Sequence, residues 1–224
     1  GTKITNKLVY LQDKLDPFPS EIAIKIIEKD IGLKLNQIFS NFDNKAIATA
    51  SVAQVYRGTL LSGEKVAIKV LRPNIEELLF KDFKFFLWCS KQIQFFYPRL
   101  KRFKLPEMVN SFANSSLNEV DLKLEASSAT ELNENFLNFD FFKVPKVFWQ
   151  FTSKNVLTLK YIDGVRIDEI KERKTNKLSI KKLTKLASEV FFLQIFRDGF
   201  FHADLHPGNI LIDKKGAIVA IDFG

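Results

Sequence analysis

The apolar positions at the start of the chain follow a helical period. In residues 19–32 the isoleucines recur every three to five positions, so one face of a helix is apolar (Ile22, Ile26, Ile27, Ile31). Ser20 is the expected N-cap and Gly32 the expected end, because a hydroxyl can bond the first free amides and glycine accepts a left-handed conformation. The pattern therefore predicts one helix before the first strands.

The next apolar runs are short and rich in β-branched residues. Residues 44–50, 54–61 and 64–71 predict three strands, and Ser62-Gly63 predicts the turn between the last two. Arg72-Pro73 is expected to end the third strand. These strands suggest an antiparallel sheet in the first third of the chain.

Longer periodic runs follow this sheet. Residues 74–97 and 106–136 predict two long helices, which Pro98 and Pro106 delimit. Further on, the pattern predicts a strand pair at 144–151 and 155–164, a helix at 178–199 capped by Ser179 and ended by Gly199, and two last strands at 210–213 and 217–222. The order favours an α+β fold with two lobes and a cleft at about residues 160–164.

Composition and charge narrow the class of protein. The chain has 224 residues, of which 46% are apolar and 27% charged, as in a soluble globular protein. Its one cysteine, Cys89, excludes a disulfide framework and fits a reducing compartment. No run is apolar enough for a transmembrane helix, no signal peptide is present, and the chain reads as part of a longer protein.

The net charge of +8 is concentrated at residues 98–104 and 171–185. Both segments fit solvated helix faces, and contact with an anionic lipid surface is the alternative. No nucleic-acid-binding motif accompanies them, so we expect no nucleic acid partner.

Three motifs together indicate phosphoryl transfer. Lys69 lies in "VAIK", Asp204 and Asn209 lie in "HADLHPGN", and Asp222 begins "DFG". Each motif alone is weak, but their order and spacing match the protein-kinase signature set. Carboxylate and amide oxygens suit a hard metal ion, and a tight hairpin between Asn209 and Asp222 would return the second residue to the first.

A buried lysine in a strand needs an anionic partner. Asp121 and Glu125 are the candidates, since an i, i+4 pair shares one face of a helix. In an ordinary kinase this helix follows the lysine closely, so a helical insert is expected here.

The loop before Lys69, "ATASVAQV", lies where a phosphate loop is expected, yet it contains no glycine. Alanine permits close backbone approach but disfavours positive φ. We expect a stiff loop, with Ser51 and backbone N–H groups facing the phosphates.

The motifs as a set resemble the UbiB-type atypical kinases, a family tied to ubiquinone biosynthesis. The resemblance spans nearly the whole chain and rests on these segments: "LQDKLDPFP", "ATASVAQV", "VAIKVLRP", "EVDLKLEASSA", "YIDG", "DGFFHADLHPGN" and "IDFG". The Ala-rich loop and the Glu-x-Asp motif followed by Glu-Ala are absent from ordinary protein kinases. The implied fold is protein-kinase-like, with an antiparallel N-lobe sheet, inserted helices and a mainly helical C-lobe.

The resemblance implies a role for each matching residue. Lys69, paired with Glu125, would hold the α- and β-phosphates. Asp204 would be the catalytic carboxylate, Asn209 and Asp222 would bind Mg²⁺, and segment 159–163 would offer backbone groups to adenine. Glu119 and Asp121 match the Glu-x-Asp motif. The residues implied to bind ATP are Ile47, Ala48, Thr49, Ala50, Ser51, Val52, Ala53, Gln54, Val55, Ala67, Lys69 and Glu125.

The implied organisation has three parts. Residues 1–44 would form a helical extension, 45–162 the N-lobe with an insert at about 74–117, and 163–224 part of the C-lobe. The family's Lys-x-Gly-Gln motif is absent, and its place would be upstream of Gly1.

The resemblance implies an ATP- and Mg²⁺-dependent kinase or ATPase. Its partners would be a quinone-pathway lipid or small molecule, an anionic membrane surface and other ubiquinone-biosynthesis proteins. Its place would be the cytoplasmic side of a bacterial inner membrane. Two alternatives stay open: a protein kinase, and a nucleotide-gated lipid-binding factor without phosphoryl transfer.

Overall fold

The computed structural model describes residues 17–167, 180–202 and 207–223. Its strands are β1 (Phe39–Phe42), β2 (Ala48–Thr49), β3 (Ala53–Leu60), β4 (Lys65–Leu71), β5 (Phe142–Lys143), β6 (Val156–Lys160), β7 (Gly164–Arg166), β8 (Ile210–Asp213) and β9 (Ile218–Ala220). Its α-helices are α1 (Ser20–Ile31), α2 (Leu35–Ile38), α3 (Ile75–Phe96), α4 (Leu105–Glu119), α5 (Leu122–Asn135) and α6 (Ile180–Leu193).

Helix α1 confirms the first predicted helix but not its cap. Pro19 occupies the N-cap position without a side-chain hydrogen bond, so Ser20 is the first helical residue. Gly32 ends the helix with a φ of 76°, as predicted. Ala23 and Ile27 are buried against the first sheet, and a buried isoleucine contributes about 1.5–3 kcal/mol.

The first sheet of the described residues is antiparallel, with strand order β1-β3-β4-β6 and β2 paired to β3. Strands β3 and β4 and their turn confirm the sequence prediction, since Gly63 has a φ of 88°. Strand β1 was not predicted, and the predicted strand at 44–50 is reduced to Ala48–Thr49.

Of the predicted strand pair, the strand at 155–164 is confirmed as β6, whereas the strand at 144–151 is wrong. Strand β6 pairs with β4, and residues 144–151 contribute a single bridge, between Val147 and Leu159, followed by a 3₁₀ turn. The apolar residues before Trp149 are buried in the core. Their composition resembles that of a strand because they are buried, although the segment has no ladder of strand hydrogen bonds.

The helical insert is a hairpin of α3 and α4, joined by a 3₁₀ turn at Pro98–Phe103. The predicted helix at 106–136 is wrong as one element, because it breaks at Val120 and restarts as α5. The Asp121 side chain caps α5 by accepting a hydrogen bond from the Lys123 amide at 3.0 Å. None of the described helices combines the length and apolar character needed to cross a membrane.

A second sheet, of order β5-β9-β8-β7, follows the first. Strand β5 runs parallel to β9, and the β8–β9 turn contains Gly216 at a φ of 87°. Helix α6 continues into a π-helix at Gln194–Asp198 and ends at Gly199, whereas its predicted cap, Ser179, lies outside the described residues. The structure has an antiparallel first sheet, inserted helices and, after them, a second sheet with helix α6. This arrangement confirms the predicted α+β fold class. The three domain boundaries stay a prediction.

Candidate nucleotide-binding site

One face of the first sheet carries four of the expected nucleotide-binding residues, namely Ala53, Val55, Ala67 and Lys69. Cross-strand partners share a face, and Val55 pairs with Lys69, which pairs with Leu157. Ala67 lies two positions from Lys69 and therefore points the same way. This face of the sheet packs against α5 and the second sheet. Residues on the same face belong to one apolar cluster with side chains of α5, β8 and β9 (Ala53, Leu71, Leu157, Leu159).

Lys69 contacts two carboxylates from distant segments. Its Nζ lies 2.9 Å from Glu125 Oε1, 2.8 Å from Glu125 Oε2 and 2.9 Å from Asp222 Oδ1. The Glu125 side chain is 5% exposed and the Asp222 side chain 41% exposed. An ammonium has three donors, so these three contacts match its full hydrogen-bonding capacity.

Burial and charge shift the two inner groups of this cluster. Burial is the largest effect on Glu125 and, with the neighbouring Asp222 charge, it outweighs the attraction of Lys69 and raises the pKa of Glu125 to about 7. Burial alone would lower the pKa of Lys69, but the two carboxylates outweigh it and raise that pKa. The ammonium is therefore charged throughout the physiological range, while Glu125 titrates within it.

The start of α5 places Glu125 opposite Lys69. Asp121 caps the helix, the Leu122 amide donates to the Lys154 carbonyl, and Glu125 follows in the first turn. Of the two candidate partners, the structure therefore brings Glu125 to Lys69 and uses Asp121 as a cap. Glu119 is exposed at the end of α4.

The β8–β9 hairpin brings Asp222 beside Asn209, as the spacing predicted. The Ile221 amide donates to the Asn209 carbonyl at 3.0 Å. Asp213 holds the turn, since its Oδ1 accepts from the Lys215 and Ala217 amides. Asp204 lies outside the described residues.

The donors at this point suit Mg²⁺, which prefers hard oxygen ligands. Asn209 offers an amide oxygen, and Asp222 offers a carboxylate that is partly open to solvent. Within the described ranges, no three His, Cys, Asp or Glu side chains gather as a metal site. A metal here would therefore depend on Asn209, Asp222 and oxygens of its ligand.

The Ala-rich loop is a short hairpin between β2 and β3 that contains no positive-φ residue. The Ala50 amide donates to the Ala53 carbonyl at 2.8 Å, so that amide is not turned to phosphates as expected. The Ala50 carbonyl accepts from Arg72 Nε and Nη2 at 3.3 Å, and the Arg72 amide donates to the Val52 carbonyl. Ser51 is exposed at the tip of this hairpin.

Two other expected contacts fall differently. Gln54 is fully buried on the opposite face, where its side-chain amide meets the Tyr56 hydroxyl and the Phe18 backbone. At the hinge, the Lys160 and Tyr161 amides donate to the Lys146 and Lys65 carbonyls. A nucleotide would have to use other backbone groups of segment 159–163.

The sequence reading missed a buried link behind Asp222. Gln194, fully buried in the π-helix, accepts from the His202 amide at 2.7 Å. His202 Nε2 in turn bonds the Asp222 carbonyl, and its ring lies against Phe223. The signal was present, because Gln194 occupies the position four residues after buried Val190 on an apolar helix face.

Comparisons with known proteins show the family to which this chain belongs. Residues 10–224 match the ABC1 atypical kinase-like domain. The probable protein kinase UbiB of Pseudomonas aeruginosa (strain PAO1 among others) is 36% identical over 225 residues, covering 99% of this chain and 42% of the relative. The Marinobacter nauticus protein of the same name is 37% identical, covering 99% of this chain and 41% of the relative.

A solved relative has the same fold. The complex structure of Rv3197-erythromycin from Mycobacterium tuberculosis superposes with a TM-score of 0.75 at 26% identity, covering 93% of this chain and 52% of that chain. The chain thus spans about two fifths of the curated relatives and half of this structure. The expected resemblance to UbiB-type kinases is confirmed.

Proposed function

This chain belongs to the ABC1 atypical kinase-like family, and we propose that it binds ATP with Mg²⁺ and transfers or releases the γ-phosphoryl group in support of ubiquinone biosynthesis. The observation that carries the proposal is the contact of Lys69 with both Glu125 and Asp222. These residues come from a strand, a helix and the "DFG" segment. Burying an ion pair costs about as much desolvation energy as its attraction returns, so stability alone does not explain why the three residues meet.

Each residue takes a positioning or electrostatic role. Glu125 holds Lys69 in place, so that its ammonium can meet the α- and β-phosphates. Because the donors of Lys69 match three carboxylate oxygens, phosphate binding would require it to give up one of these contacts, and the more exposed Asp222 is the partner that we expect it to release. Asp222 and Asn209 would then hold Mg²⁺, which neutralises phosphate charge when bound, and Asp204 would orient the acceptor.

Water, a lipid and a small molecule are all acceptable phosphoryl acceptors for this cluster. The relatives are named probable protein kinase UbiB, which supports a link with ubiquinone biosynthesis, and within that pathway we propose a lipid or small molecule as the acceptor. An anionic membrane surface, on the cytoplasmic side of a bacterial inner membrane, and other ubiquinone-biosynthesis proteins are the proposed partners.

The test compares ATP turnover and quinone production for the full-length protein. Asp204→Asn and Asp222→Asn should each abolish Mg²⁺-dependent turnover, and cells that carry only these variants should lose ubiquinone. Asp140→Asn, the same chemical change at an exposed position, should change neither. Turnover that persists in both site variants would refute the proposed site.

A second function, a nucleotide-gated lipid-binding factor, draws on the exposed apolar residues of the α3–α4 hairpin. The solved relative in complex with erythromycin adds support, since that complex holds a bulky organic molecule. Normal quinone production by a variant without ATP turnover would favour this function. Phosphorylation of a generic protein substrate would instead favour a protein kinase.

A further inference from the structure

The α3–α4 hairpin exposes aromatic side chains that the proposed ATP chemistry does not use. At its tip, which we define as residues 91–104, the exposed fractions are 75% for Phe95, 70% for Phe96, 65% for Tyr97 and 47% for Phe103. No residue of the tip is buried. An apolar patch of this kind on a folded domain marks an interaction surface.

The hairpin stands out from the sheet. The first turns of α3 pack on the core through Ile75 and Leu79, and Lys154 contacts Glu76 at 2.6 Å. From there the 22 residues of α3 extend for about 33 Å. Within the hairpin α3 buries only Phe83 and Ser90, and α4 buries no residue, so the tip is held by one helix-to-helix contact.

The tip is also strongly basic. Lys91, Arg99, Lys101, Arg102 and Lys104 lie in it, and no acidic residue occurs between Asp82 and Glu107. Lys104 contacts Glu107 at 3.2 Å, whereas the other four have no ion pair with any residue in the described ranges. Arg102 lies over the Phe103 ring at 4.7 Å.

Aromatic and basic side chains on one small surface fit a single kind of partner best. At a bilayer interface the rings enter the boundary of headgroups and acyl chains while Lys and Arg meet anionic headgroups. A nucleic acid duplex would satisfy the charge, but its bases are stacked on one another and would leave the phenylalanines without apolar cover. A single strand could stack its bases on the rings, so RNA is included in the test below. An apolar groove of about 430 Å³ between α3 and α4, lined by Phe83, Phe86, Ile93, Met108, Phe112 and others, continues the apolar surface along the hairpin.

We propose that the tip of the α3–α4 hairpin docks this protein onto an anionic bilayer by inserting its aromatic side chains at the headgroup level. The proposal rests on the membrane partner of the proposed function, and not on the ATP chemistry. It assigns the contact to residues 91–104, away from the Lys69 cluster.

The test places an environment-sensitive fluorophore at one position of the full-length protein, after replacement of its native cysteines. Tyr97→Cys carries the label at the tip, and Leu61→Cys, 61% exposed in the β3–β4 turn, carries it in the control. Vesicles of phosphatidylcholine, with or without phosphatidylglycerol, contain brominated lipid as a contact quencher. Nucleotide and Mg²⁺ are omitted, and ATP turnover is measured separately.

The label at position 97 should be quenched by anionic vesicles and not by neutral ones, while the label at position 61 should not respond. Each basic residue contributes about a fivefold factor in affinity for an anionic surface. Lys101→Glu with Arg102→Glu should therefore weaken the vesicle affinity, measured by quenching at position 97, by about 25-fold or more. Lys25→Glu with Lys29→Glu changes the net charge equally on exposed positions of α1 and should have little effect.

Three results would overturn the proposal. One is vesicle binding without quenching at position 97, which would keep the membrane partner but remove the tip from the contact. Another is a label already shielded without vesicles, which would mean that another part of the protein covers the tip. The third is a response to RNA or a protein but not to vesicles. Loss of docking with ATP turnover intact would leave the proposed chemistry standing.

Discussion

Removal of the Lys69 ammonium should destabilise α5 in a way that depends on pH. In Lys69→Met, Glu125 remains 5% exposed beside Asp222 without its cation. A buried carboxylate in this position takes up a proton instead of staying ionised. Folded wild type can ionise Glu125 at high pH, whereas the folded variant keeps it protonated. The variant should therefore be destabilised relative to wild type at pH values where wild-type Glu125 is ionised.

The pKa of Glu125 sets the magnitude. With Lys69 present this pKa is raised from 4.5 to about 7, so the folded wild type holds the proton more tightly than the unfolded chain, and its stability falls as pH rises from about 4.5 to about 7. At pH 8, one pH unit above this pKa, the folded wild type is about 1.4 kcal/mol more stable than a folded state that keeps Glu125 protonated, which is the state expected in Lys69→Met. At pH 6 that difference is near zero. The Lys69 pKa is raised, so its charge does not change across this window.

Hydrogen exchange measures this difference locally in the full-length protein. The amides of α5 should exchange faster in Lys69→Met than in wild type, and the ratio should be about tenfold larger at pH 8 than at pH 6. Peptides from α1 serve as an internal control. Lys154→Met removes the lysine of an exposed pair and should give a small, pH-independent effect.

The double variant Lys69→Met with Glu125→Gln should remove the pH dependence of the ratio, because the Glu125 carboxyl, whose pKa of about 7 lies between the two pH values, is no longer present. A ratio that is the same at pH 6 and pH 8 in the single variant would refute the reasoning. It would mean that Glu125 does not titrate between these pH values.

Three further changes test other parts of the structure. Ala50→Gly should weaken ATP and ADP binding about two- to fivefold by calorimetry, since glycine loosens the unliganded loop; unchanged affinities would count against a phosphate-loop role. Gln194→Leu leaves the His202 amide without its acceptor and should lower the free energy of unfolding by about 1–3 kcal/mol, measured as a lower melting temperature. It should also lower kcat with a smaller change in KM, and an unaltered kcat would show that this link does not affect catalysis. Gly164→Ala would place a Cβ 2.9 Å from the Ile212 carbonyl oxygen and should destabilise the second sheet by about 1–3 kcal/mol in urea unfolding, whereas full stability would show that β7 can shift.

The residues that meet at the candidate site could be predicted because they lie in short motifs with local rules. Lys69 stands on an alternating strand, and a hairpin after Asn209 could only return Asp222 to it. Helical spacing alone narrowed the partner of Lys69 to two carboxylates, and only the family resemblance singled out Glu125. The choice depended on Asp121 becoming a cap, which follows from a helix break at Val120 that periodicity does not reveal.

The missed features are those decided by tertiary contacts. Strand β1 has no alternating pattern and exists because it pairs with β3. Residues 144–151 have a strand-like composition because the core needs apolar side chains there. Gln194 was unnoticed because a single polar residue on an apolar helix face has a meaning only when its partner, the His202 amide, is known.

The alanines of the loop are explained by its anchoring. Glycine is required in a phosphate loop where φ must be positive or where a Cβ would collide, and this hairpin turns without positive φ. Arg72 takes over the role of fixing the loop: its side chain bonds the Ala50 carbonyl, its amide bonds the Val52 carbonyl, and its guanidinium lies over the Phe18 ring at 5.9 Å. Phe18 also meets Gln54 through its backbone. Arg72 and Phe18 therefore link the loop before Lys69 to the segment that precedes α1.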